Sequence, residues 1–161
     1  MSWKSGFTDR AEDTLGVARI ALRRRPSALA STELLRAIEG CGPSLARGVL
    51  TALDVNIDEV LDSADQIARD REANLRLRRF PVRLASLEMI VRRAEEEAAM
   101  LGNRRVGTEH LLLAIISVHD DPATTALRAT GVTQDTARGT IRRLLVSWTD
   151  NGTPRPRVSA A

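Results

Sequence analysis

Aromatic side chains are nearly missing from this chain of 161 residues: Phe7, Phe80, Trp3 and Trp148 are all it has, with no tyrosine. Sheets favour β-branched and aromatic residues, whereas the Leu, Ile, Val and Ala that dominate here build helix–helix cores. Cysteine is almost as scarce. Cys41 stands alone, so no internal disulfide can form, which fits a reducing cytosol. No base or metal partner lies near it in sequence, so it reads as a small turn residue and not a nucleophile. His110 and His119 are the only histidines, outside any H-E-x-x-H or Cys/His cluster, which excludes a familiar zinc site. There is no G-x-x-x-x-G-K-[ST] phosphate loop and no Ser/His/Asp signature. The expectation is a protein without cofactor, metal or catalytic activity. No apolar run approaches the roughly 20 residues of a membrane span, and residues 1–6 lack an apolar signal region. The chain is therefore expected to be cytoplasmic and free of membrane contact.

Lysine is the other shortage. Lys4 is the only one, and every other strong cation is arginine. Arginine does not deprotonate in the accessible range, so the sequence pI of 10.3 overstates a net charge of only +3. That balance argues against nucleic acid as partner. An arginine-rich nucleic-acid-binding protein is the alternative, and it would use the cluster Arg76, Arg78, Arg79 and Arg83.

What the chain does have is a duplication. Leu34, Leu35, Ala37, Ile38, Ala46, Leu50, Ala52 and Val55 recur 77 positions later as Leu111, Leu112, Ala114, Ile115, Ala123, Leu127, Ala129 and Val132. Upstream the offset is 76: Ala11, Leu15, Ala18 and Leu22 match Leu87, Val91, Ala94 and Ala98. One residue is thus missing from the first copy, in the turn around Arg23 to Ser27. Such a repeat constrains the fold before any single element does.

Helical stripes fill both copies. The first helix runs from Phe7 to about Arg24, with Thr8 as cap and the run Arg23-Arg24-Arg25-Pro26 as its end. Ser31 is expected to cap a second helix to about Glu39, and Pro43 to open a third. Asn56 and Glu59 form a capping box for a fourth, with Val60, Leu61, Ala64 and Ile67 inward. Residues 69–82 read as a linker. Leu84 to Leu101 is a helix whose Glu95, Glu96 and Glu97 face water, closed by Gly102. Thr108 is expected to cap the helix Thr108–Val118, Asp121 and Pro122 to open the next, and Thr133 to cap the last. The resulting layout is a flexible start (1–6), a degenerate first repeat (7–68), the linker (69–82), a second repeat (83–147) and a disordered tail (148–161).

Two motifs in this layout carry a family likeness. Phe7-Thr8-Asp9-Arg10-Ala11 opens the chain, and Gly107-Thr108-Glu109-His110-Leu111-Leu112 starts the helix of the second copy. Together they resemble the double N-terminal repeat domain of the Clp ATPases, ClpC-type above all, over about residues 7–147. The resemblance implies an all-α fold of about eight helices in two pseudo-symmetric four-helix repeats. It also implies a non-catalytic, monomeric module that docks Clp ATPase or protease components, adaptors or substrate peptides. Without ATPase modules, the chain would be an adaptor, a decoy or a ligand-sequestering accessory, or else the N-terminal fragment of a full ClpC-type ATPase. Relatives are also targets of cyclic-peptide antibiotics.

Some relatives bind phosphoarginine, one site per repeat. There the motif glutamate holds the guanidinium, and the threonine after the opening aromatic helps hold the phosphate. The candidate ligand-binding residues carried over are Thr8, Thr32, Glu33, Thr108, Glu109 and His110. Paired repeat by repeat, the first site keeps Thr8 but has Thr32 at the glutamate position, with Glu33 at the histidine position. The second keeps Glu109 but has Leu84 at the threonine position. Each half then holds one component, and phosphoarginine binding is expected to be weak or absent.

Overall fold

The computed structural model describes residues 6–75 and 84–146. Among them are eight α-helices and no strand: α1 Asp9–Arg24, α2 Ala30–Gly40, α3 Leu45–Ala52, α4 Ile57–Leu75, α5 Leu87–Met100, α6 Thr108–Ser117, α7 Pro122–Ala129 and α8 Gln134–Leu145. The all-α architecture of two four-helix repeats is the one the sequence implies. The arginine cluster at 76–83 and both termini lie outside the described residues.

Local chemistry starts most of these helices. The hydroxyls of Thr8, Ser44, Ser86 and Thr133, and the carboxylate of Asp121, accept from free N–H groups of the first turns of α1, α3, α5, α8 and α7. The Ser86 cap makes α5 begin at Leu87, three residues later than the periodicity suggested. Asn56 Oδ1 accepts from the Glu59 N–H at 3.4 Å, and Asn56 Nδ2 donates back to the Glu59 carboxylate at 2.9 Å. Nothing breaks α4 before Leu75, so it runs through the first seven residues assigned above to the linker.

The two offsets in the sequence mark real geometry. α1 and α5 both end in the 76 register, since Arg24 plus 76 is residue 100. The motif helices follow the 77 register, which places the missing residue in the turn between α1 and α2.

The halves share one apolar core that runs from Phe7 through Ile141. They interlock instead of standing side by side. α7 packs on α4 and α2, and α3 packs on α6 and α8. α6 lies at the centre, with all of Thr108 to Ile116 buried. Glu97 corrects the solvated-face reading of its helix. It is only 4% exposed, and both its oxygens accept from the Arg138 guanidinium at 2.8 and 2.9 Å. Gln134 Nε2 adds a third donor at 3.1 Å, so the carboxylate fastens α5 to α8.

Candidate functional site

The starts of α6 and α2 occupy equivalent places, and neither uses the cap expected of it. Gly107, not Thr108, caps α6, and Thr108 is its first helical residue. The Thr108 hydroxyl, fully buried, accepts from the Ala46 N–H at 3.2 Å. That N–H belongs to the first turn of α3, in the other repeat. Likewise Leu29, not Ser31, caps α2, and the chain is helical from Ala30. The buried Ser31 hydroxyl donates to Asp121 Oδ1 at 2.6 Å, the residue that caps α7. Ser31 and Thr108 are 77 apart, as are Ser44 and Asp121. Each hydroxyl therefore crosses to the start of the opposite repeat's third helix.

At α6 the polar groups are turned inward. Gly107 N–H donates to His110 Nδ1 at 2.8 Å, and the other ring nitrogen, Nε2, lies 2.9 Å from Asn103 Nδ2. Glu109, 5% exposed, brings Oε1 within 3.3 Å of His110 Nδ1. Its carboxylate also lies against Gly107, where a Cβ would sit 2.3–2.7 Å from the carboxyl atoms. A larger residue there would require the Glu109 carboxylate to move.

The segment before α1 reaches this same place. Thr8 N–H donates to the Val106 carbonyl at 2.9 Å, Val106 N–H donates to the Gly6 carbonyl at 2.6 Å, and Phe7 bridges Val106 in parallel. The Arg105 guanidinium donates to the Phe7 carbonyl and lies 3.5 Å from Asp9. Thr8 is thus held beside the Val106–Glu109 turn of the second repeat. The pairing by repeat assumed above is crossed. Through its backbone Thr8 joins the turn that leads into Thr108, Glu109 and His110, while its hydroxyl caps α1, and Leu84 lines a cavity with Thr32 and Glu33.

Those last three residues line a cavity of about 440 Å³ between α2, α4 and the entry to α5. Glu33 is 4% exposed and accepts from Arg25 Nη2 at 2.9 Å, with Arg36 Nε at 3.8 Å. Arg36 also donates to Asp65 at 3.0 Å. Thr32 is 3% exposed and its hydroxyl makes no hydrogen bond. Leu84, at 51% exposure, separates this cavity from a second of about 350 Å³ beside α1. Sequence reasoning missed Arg25 as a lining residue, because a basic helix end has a sufficient explanation in the helix dipole.

The family model of the Clp repeat N-terminal domain matches residues 85–160. Over 143 residues, 88% of the chain, the sequence is 28% identical to the negative regulator of genetic competence ClpC/MecB of Bacillus subtilis (strain 168). The second half of this chain matches the Clp repeat, and the likeness to Clp N-terminal domains extends along most of its length. A second Clp relative, chaperone protein ClpB of Oceanobacillus iheyensis, is 25% identical over 142 residues. The crystal structure of the Hsp104 N-terminal domain from Candida albicans shares the fold, with a TM-score of 0.59 over 93% of this chain and 97% of that one, at 14% identity. The chain spans 17% of the length of each of the two Clp relatives. The Clp N-terminal domain is a non-catalytic module, and among the described residues of this chain no group of three or more His, Cys, Asp or Glu could hold a metal. No helix there is long and apolar enough to cross a membrane.

Proposed function

We propose that this chain binds peptide segments for a Clp unfoldase–protease system, as an adaptor, a decoy or a sequestering accessory. The observation that carries the reading is the groove at the seam of the two repeats. Two adjoining cavities share Ala28, Leu29 and Leu84, so together they offer an extended apolar floor. Charged side chains rim it. That combination suits an extended peptide better than a compact metabolite, because apolar contact supplies affinity and polar groups fix orientation. The crossed pairing supports one phosphoarginine site, with Thr8 and Glu109 at the same place, in preference to two half-lost ones. A cyclic-peptide antibiotic would meet the same apolar floor.

The test is a pull-down from the native host with the tagged chain, read by mass spectrometry against Leu84→Glu. Enrichment of Clp components or unfolded substrates that Leu84→Glu abolishes is the expected result. Enrichment unchanged by Leu84→Glu would move the binding surface elsewhere.

A further inference from the structure

We propose that the larger cavity recognises the free C-terminal carboxylate of a peptide with an apolar last residue. The inference rests on the peptide-binding reading above and gives it a direction.

The charges decide the polarity. Glu33, Asp65 and Glu72 line the cavity, but Arg25 and Arg36 already hold the first two, and Glu72 is engaged in an interaction of its own. Arg69 and Arg71 line it as well, and their hydrogen bonds go to neutral oxygens. Arg69 Nη2 donates to the Gln66 side chain at 2.8 Å, and Arg71 Nη1 donates to the Asp120 carbonyl. Their positive charge is not neutralised by those contacts. Two guanidiniums at a cavity wall suit a carboxylate, which they can grip through paired N–H donors. A terminal carboxylate also comes with a backbone and a side chain attached. Leu29, Leu84 and Pro122 give that side chain an apolar wall.

Thr32 is the second, independent sign of a ligand. A buried hydroxyl without a partner is costly, and native structures rarely keep one without use. Threonine in a helix has two accessible rotamers, so a rotation can present this hydroxyl to a ligand's peptide group. The second cavity continues from Leu84 past Leu22 and Leu87, which gives the residues before the terminus a path.

The experiment is fluorescence anisotropy with an N-terminally labelled hexapeptide, Gly-Ser-Gly-Ala-Val-Leu, as free acid and as C-terminal amide, at fixed salt. Loss of the charged partner is expected to weaken the amide about tenfold or more. Arg69→Gln with Arg71→Gln should reduce acid binding to the level of the amide and leave amide binding unchanged. Thr32→Val should weaken both forms by a similar, smaller factor. Circular dichroism of each variant checks that the fold is kept. Equal binding of acid and amide would overturn the carboxylate inference while leaving the peptide groove standing. No binding of either form, at concentrations where the intact chain captures host proteins, would also overturn it. If no host protein is captured either, the peptide-binding reading fails with it. An amide carrying a phosphorylated serine that binds as tightly as the acid would show that any anion suffices, and would overturn recognition of the terminus.

Discussion

The two motif helices began as copies and now do different work. α6 is closed in on every side, and its polar residues bond to one another and to the other repeat. α2 keeps the same leucines inward but turns Arg36 and Glu39 outward, where the copy has Leu113 and Ile116. Those outward residues pair with Asp65 on α4 and Arg47 on α3. One helix became the centre of the core; the other became the wall of a cavity. The duplication thus leaves α2 a charged outer face, while α6 is packed all round.

The largest expected contrast follows from that division. Leu113→Ala empties a fully buried site at the centre and should cost about 2–5 kcal/mol. Arg36→Ala, at the equivalent place, removes partly exposed ion pairs and should cost within about 1 kcal/mol. Urea melts of the two variants measure both. Equal losses would mean that α2 is as central as α6.

Ligand binding sharpens the same comparison. If Thr8 and Glu109 form one phosphoarginine site, calorimetry should give one site per chain and not two. Glu109→Ala should then remove about 1.5–3 kcal/mol of binding, roughly a tenfold to more than a hundredfold loss. Thr32→Ala in the other cavity should leave phosphoarginine binding as it was. Two sites of equal affinity would contradict the crossed pairing.

Gly107 offers a subtler test. The first repeat has Ala30 at this position, and Thr32 where the second has Glu109. A Cβ at Gly107 collides with the Glu109 carboxylate, whereas the shorter Thr32 coexists with Ala30. Gly107→Ala alone should destabilise by about 1–3 kcal/mol, as overpacking does. Adding Glu109→Thr should recover part of that, with a coupling of about 0.5–3 kcal/mol in a double-mutant cycle. Strict additivity would show that the two positions do not sense each other.

The repeat, the eight helices and the inward leucines were legible because periodicity and duplication are local and redundant. The caps expected at Ser31 and Thr108 were not, although both residue types favour that role. Their hydroxyls are recruited by the opposite repeat, and no local rule anticipates a partner 62 or 90 residues away. Glu97 went the same way, since a run of three glutamates looks solvated until Arg138 arrives from α8. The site suffered most. Reading each site within one repeat joins Thr8 to Thr32, but the chain threads its first segment onto the second repeat, where the Val106 carbonyl accepts from Thr8 N–H. Alignment shows which positions are equivalent and cannot show which equivalents meet.

The smallest expected effect concerns how α3 and α7 end. Both close in the same way: Val55 N–H donates to the Leu50 carbonyl at 3.0 Å, and Val132 N–H to the Leu127 carbonyl at 3.2 Å. The residue between helix and return bond must then be left-handed. In α7 it is Gly131, at φ +87°, and in α3 it is Asp54, at φ +56°. An L-residue there carries a steric cost of about 1–2 kcal/mol, less for Asp than for most. Glycine avoids that cost but gives up about 0.4–1 kcal/mol through the freedom of the unfolded chain. The difference favours glycine slightly, so Asp54→Gly should raise stability by about 0.5 kcal/mol. Gly131→Asp should lower it by a similar amount, making each repeat end as the other does. Thermal melts of the two single variants and the double variant test this, and the double should fall close to the starting chain. A loss on Asp54→Gly would mean that the Asp54 side chain contributes more than the backbone strain it causes.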